Sequence, residues 1–144
     1  MFKQILFPVD LSEPDSWRHA LPVALEQARS HQATLHVLTV LPEFSARVSQ
    51  YFPDHAREKY RADSVAELTS FVKDNVPAGI DVREVIAEGT VYEEIMAAAE
   101  AVGADLIVMA SHVPSTMKHL LLGANAAQVV RHCECSVLVV RTKA

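Results

Sequence analysis

The sequence predicts an open, five-stranded parallel α/β sheet with helices on both faces, a Rossmann-like arrangement. Five short runs rich in β-branched and aliphatic residues, "QILFPV", "ATLHVLTVL", "IDVREVIA", "DLIVMAS" and "SVLVVR", alternate with stretches of helical periodicity. Alternation of this kind implies right-handed crossovers and a mostly parallel sheet. The fourth and fifth runs, "LIVMA" and "VLVV", are continuously apolar, as strands are when helices cover both faces.

The first strand leads into a helix whose buried face would be Trp17, Ala20, Leu21, Ala24, Leu25 and Ala28. Ser12 stands where an N-cap is expected, with Glu13, Pro14 and Asp15 in the first turn. Pro22 lacks an N–H and is expected to kink this helix. His36 lies inside the apolar second strand, where a core or interface histidine sits. Pro42 to Asp54 reads as a surface loop with some packing of its own. The second helix carries Tyr60, Ser64, Val65, Leu68, Phe71 and Val72 on its apolar face. Gly79 marks a turn, and the polar third strand suits a sheet edge. Gly89 ends that strand. Val91, Ile95, Ala98, Ala99 and Val102 form the next helical face, with Gly103 as its C-terminal stop. The last helix is short, with Ala126, Val129, Val130 and Cys133 at i, i+3, i+4 and i+7.

All 144 residues are expected to form one domain, large enough to bury about 68–70% of its unfolded surface. Half the residues are apolar and 22% are charged, an ordinary globular composition. With 13 basic and 18 acidic residues the net charge is −5, which gives no general attraction for nucleic acid. The apolar run in "MFKQILFPVD" is too short for a signal peptide, and no segment approaches the roughly 20 apolar residues of a membrane span. Cys133 and Cys135 are too close for a disulfide framework, so a reducing, cytoplasmic compartment is expected. Their Cys-x-Cys spacing also lacks the separation of a structural zinc site, and no metal is expected there.

In an open parallel sheet a ligand binds outside the carboxyl ends of the strands where their order reverses. For five strands wound outward in the order 3-2-1-4-5, that point lies between strands one and four. Their ends are Phe7, Pro8, Val9 and Asp10, and Met109, Ala110, Ser111 and His112. Asp10 can accept hydrogen bonds from a ribose, an amine or a metal-bound water, or it can satisfy N–H groups of its own turn. "ASHVPSTMKHLLLGANAA", Ala110 to Ala127, links the fourth strand to the last helix with a single glycine, Gly123. Strand, loop and helix N-terminus make an anion seat, and Gly123 either lets an anion approach the backbone or serves an ordinary turn.

"ILFPVDLSE", "EGTVYEEI", "DLIVMASH" and "LLLGANAAQVVRHCECSVLVVR" together resemble the universal stress protein family over the whole chain. The resemblance implies an adenine nucleotide alpha hydrolase-like fold. The family's nucleotide-binding members carry Gly, two residues, Gly, nine residues, Gly and then Ser or Thr; the matching positions here are Ala110, Val113, Gly123 and Ala124. Three of the four are changed. A branch with "ASH", a residue and Pro, then "LLG", a small residue and "NAA" is similar to this chain, and implies that adenine nucleotide binding survives loss of the first two glycines.

Pro114 holds Val113 in extended backbone, so the loop cannot copy a left-handed glycine there. His112 and Ser111 are candidate donors for the rebuilt ribose end. Ala124 lacks the hydroxyl that would donate to phosphate, a loss of roughly 1.5–3 kcal/mol. Asn125 can donate to phosphate or cap the helix. Lys118, His119 and Arg131 either add positive charge or remain solvated.

The leading expectation is a homodimeric cytoplasmic stress-response protein that binds an adenine nucleotide, ATP foremost and with Mg²⁺, as a sensor or signalling module. Pro8 to Asp10 with Val37, Thr39 and Val40 would enclose base and ribose, and Gly123 to Asn125 the phosphates. The resemblance implies dimers through the last strand, Ser136 to Thr142, an apolar edge open to pairing. The alternatives are an interaction protein whose pocket is closed by Val113 and Ala124, and an enzyme acting on another small phosphorylated ligand. No residue stands out as a catalytic base.

Overall fold

The computed structural model describes residues 1–43, 51, 53–111 and 122–141. Its strands are β1 (Gln4–Pro8), β2 (Thr34–Leu41), β3 (Val82–Glu88), β4 (Leu106–Ser111) and β5 (Ser136–Arg141). Its helices are α1 (Ala20–His31), α2 (Asp54–Asn75), α3 (Val91–Val102) and α4 (Ala124–His132). All strand pairings are parallel and the sheet order is β3-β2-β1-β4-β5, as the alternation predicts.

Two cores form because successive side chains of a strand point to opposite faces. Ile5 and Phe7 of β1, Leu35 and Val37 of β2, and Leu106 and Val108 of β4 pack against α1 and α2. Leu6, Leu38, Ile107 and Met109 pack on the other side against Ile95, Ala98 and Ala99 of α3 and Ala126 and Val129 of α4. Both faces of β1 and β4 are therefore dry, and the continuous apolar runs are explained. The polar β3 occupies one edge and β5 the other. Among the described residues no helix is long and apolar enough to cross a membrane.

Several local expectations change. Ser12 is not the cap of α1: residues Pro14–Ser16 form a separate 3-10 turn, and α1 starts only at Ala20 with His19 as its cap. Pro22 thus falls in the first helical turn, where its missing N–H had no intrahelical partner to lose, and the kink it was expected to cause has no basis. Trp17 lies outside the helix, yet it still packs edge-on against Phe71 of α2 with ring centroids 4.8 Å apart.

In α2 the buried stripe is narrower than the periodicity suggests. Ser64, Leu68, Phe71 and Val72 are buried, whereas Tyr60 and Val65 are 41% and 44% exposed. Val65 is one residue, and so about 100° of helix rotation, from Ser64. The same narrowing leaves Val91 and Val130 exposed. His36 is part-buried, with Nε2 2.7 Å from Oε1 of Gln4. Burial, and secondarily Arg83 nearby, lower its pKa. The Pro42 to Asp54 loop falls mostly outside the described residues.

Phe7→Ala should remove about 3–5 kcal/mol of stability by opening a cavity in the core, while Val65→Ala should change it by no more than about 0.5 kcal/mol. Urea unfolding of both variants checks this, and similar costs at the two positions would refute the observed register of α2.

Candidate functional site

The site begins with a proline. Along a strand the backbone turns its N–H and C=O to alternate neighbours. The carbonyl of Gln4 accepts from Asp105 on the β4 side at 2.9 Å, and the N–H of Val9 donates to Leu38 on β2 at 2.8 Å. By that alternation Pro8 faces β4, and it has no N–H to give. β1 accordingly pairs with β2 as far as Pro8–Leu38 but with β4 only at Ile5–Leu106 and Leu6–Ile107. Above Leu6 the sheet opens into a crevice.

A cavity of about 200 Å³ occupies that crevice. Of the residues the sequence singled out, Pro8, Val9, Asp10, Val40, Met109, Ala110, Gly123, Ala124 and Asn125 line it together. A wider depression of about 740 Å³ adjoins it and shares Asp10, Val40 and Val91. Thr39 lines this second space. Gly89, at its rim, has φ +149°, and a Cβ there would come within 2.6 Å of Oε1 of Glu94, so this turn into α3 needs glycine.

Asp10 is held by its own loop. Its N–H donates to Oγ of Ser16 at 2.9 Å, and the Ser16 hydroxyl donates back to the Asp10 carbonyl at 3.0 Å. Oδ1 accepts from the N–H and the hydroxyl of Ser12, at 3.0 and 2.7 Å. Both readings of Asp10 are thus compatible: one carboxylate oxygen satisfies the turn, and Oδ2 has no partner among the described residues. Ser12, displaced from its expected cap, is what fixes this carboxylate.

On the opposite wall Gly123 caps α4 with φ −64° and ψ 159°, extended backbone that any residue adopts. Its carbonyl accepts the first helical bond, from Ala127 at 2.9 Å, and its N–H points to Oγ of Ser111 at 3.4 Å. The following N–H groups, of Ala124, Asn125 and Ala126, have no intrahelical acceptor in a first turn and carry the positive end of the helix dipole. Asn125 is exposed and makes no side-chain hydrogen bond among the described residues, leaving its amide available.

One expectation needs correction and two open ones are narrowed. Val37 is fully buried on the α1 and α2 face and does not reach the crevice; Leu38, of the opposite parity, does. Ser111 is buried and ties β4 to Gly123 behind the cavity wall. Arg131 sits in the last turn of α4, seven residues and so about 10 Å of helix from Ala124, too far to neutralise an anion at the other end. His112, Val113, Pro114, Lys118 and His119 lie outside the described residues. The sequence reading missed Glu13 and Ser16, shortly after Asp10 in the chain, and Val91, Ile95 and Ala126, which floor the cavity from α3 and α4. Strand parity would have found Leu38; nothing in the local pattern marks Glu13. Among the described residues the lining holds the carboxylates of Asp10 and Glu13 and no lysine or arginine.

The universal stress protein family matches residues 1–141. Universal stress protein G of Shigella flexneri is 34% identical over 149 residues, spanning 98% of this chain and 100% of that protein. A universal stress protein of Methanocaldococcus jannaschii is 27% identical, spanning 99% of this chain and 97% of its own length. Its solved structure superimposes with a TM-score of 0.76 at 26% identity, covering 100% and 99% of the two chains. A universal stress protein solved in complex with cAMP superimposes with a TM-score of 0.71 at 26% identity, covering 99% and 98%.

Ser16→Ala should cost about 1 kcal/mol, because it strips both hydrogen bonds from the Asp10 backbone. Chemical denaturation measures this, and an unchanged midpoint would show that Ser16 does not hold the turn.

Proposed function

The chain belongs to the universal stress protein family, and we propose that it binds an adenine nucleotide in the crevice between β1 and β4, serving as a cytoplasmic stress-response sensor or signalling module. One observation carries this reading: the opening of the sheet above Leu6 and the N-terminus of α4 line one cavity. An apolar slot and an anion seat are thereby brought to one place.

The residues present fit such a ligand. The cavity of about 200 Å³ takes only part of it, and the adjoining depression supplies the remaining room. Pro8, Val9 and Val40 offer apolar walls for the base, Oδ2 of Asp10 an acceptor for ribose hydroxyls, and Gly123 to Asn125 backbone donors for phosphate. ATP is the foremost candidate, with Mg²⁺. Glu13, the second carboxylate of the lining, would hold the hydrated ion together with phosphate oxygens, the usual way this cation is bound, and the ion would offset the repulsion between carboxylates and phosphates. The cAMP complex of a relative 26% identical to this chain supports an adenine ligand. The chain acts as a homodimer, its β5 edges, Ser136–Arg141, pairing with each other, while Thr142 of the expected contact lies outside the described residues.

Denaturing freshly purified protein should release an adenine nucleotide. Saturation at a hundred times Kd should stabilise the fold by about 2.7 kcal/mol. Ala124→Ser restores a hydroxyl beside the phosphates and should tighten binding about tenfold. No release, and no stabilisation of either protein by millimolar ATP, ADP or AMP with Mg²⁺, would instead assign the chain to the interaction proteins.

Sedimentation equilibrium should give twice the 15.8 kDa chain mass, and amide exchange in Ser136–Arg141 should slow as protein concentration rises. A monomer at every concentration would refute pairing through β5.

A further inference from the structure

Nucleotide binding leaves the dithiol at the junction of α4 and β5 unused. Cys133 is the C-terminal cap of α4, with extended backbone at φ −81° and ψ 138°, and β5 starts at Ser136. The chain bends at Glu134 and Cys135, between helix and strand, and folds the second cysteine back beside the first. Both sulfurs therefore turn toward the core formed with α3 and α4, and they lie 3.0 Å apart. Closing a disulfide, with its bond of about 2.05 Å, requires the sulfurs to approach by only about 1 Å. Both thiols are free and half-buried, and both line a separate cavity of about 500 Å³ with Glu100, Gly103, His132 and Glu134. A small molecule can reach them there.

We infer that Cys133 and Cys135 are a thiol–disulfide exchange site, closing to an internal disulfide by reaction with a small cationic disulfide. The carboxylates of Glu100 and Glu134 at the cavity favour the cationic reagent. Burial, reinforced by the hydrogen bond with Cys133, pushes the Cys135 thiol up to about 12. Cys135 thus keeps its proton, which leaves Cys133 as the attacking group. The Cys133 thiolate attacks one sulfur of RS–SR, and the departing RS⁻ takes up the proton that Cys133 had lost. Cys135 then gives its proton to the second departing sulfur and attacks Sγ of Cys133. One RS–SR is reduced to two RSH, and two protein thiols are oxidised to one disulfide. The closed loop is short, so the bond gains little from chain entropy and is readily reduced.

These are the chain's two cysteines, so thiol counting is unambiguous. Full-length protein treated with cystamine should lose both thiols and two hydrogens of mass, with no adduct, and dithiothreitol should restore both. Cys135→Ser should instead retain one cysteamine on Cys133, and Cys133→Ser should react at least tenfold more slowly. Two persistent thiols, stable cysteamine adducts on both cysteines, or covalent dimers on non-reducing gels would overturn the inference. The wild-type mass measurement decides the matter even if a serine variant fails to fold, and it is independent of whether nucleotide binds.

Discussion

One missing hydrogen organises the top of this molecule. Pro8 turns toward β4 without an N–H, so the central pair of strands cannot stay zipped to its end, whereas the same residue remains in register with β2. The strands part only there because their lower halves are locked: Ile5 and Phe7 are anchored in one core and Leu6 and Ile107 in the other. The crevice is thus a local failure of pairing set in a sheet that is dry on both faces. The residues just beyond Pro8 take their places from this parting. Val9 lines the gap, and Asp10 is fixed at its mouth by Ser12 and Ser16.

The crevice meets charge with backbone instead of side chains. An anion placed there would meet N–H groups and the dipole of α4, while the described side chains around it contribute carboxylates and no cation. Such a seat discriminates by geometry. The same helix spans the distance between two different chemistries: its first turn is tied to β4 through Ser111, and its last residue adjoins the dithiol. At nine residues α4 is short, and only Ala126 and Val129 are buried from it.

Strand positions were legible because short β-branched and aliphatic runs give way to a helical period of 3.6 at each boundary. The gathering of Pro8, Val9, Asp10, Met109 and Ala110 followed from the strand order, and Gly123 to Asn125 from the loop before the last helix and the family resemblance. Phase was less legible. A helix with core candidates on adjacent positions, such as Ser64 and Val65, does not reveal which stripe meets the sheet, and here edge packing admits a narrow one. Val37 was assigned to the crevice because its neighbours are there, but β2 presents Leu38 and Val40 on that face. Ser12 had the chemistry of a cap and used it on Asp10, two residues away.

By itself the sequence determined the α/β class and the parallel sheet, since these rest on periodicity and on the handedness of crossovers, while the order 3-2-1-4-5 and the end where a ligand belongs followed once the strands were taken to wind outward from the first, as in the family it resembles. The tertiary structure decided the contacts that need two segments at once. It gathered Glu13 and Gly123 into one lining, sank Ser111 behind the wall, and set Trp17 edge-on against Phe71. These depend on how strands separate and helices rotate as they pack, and that rotation is fixed by the shape of the neighbouring surface, which no single segment encodes.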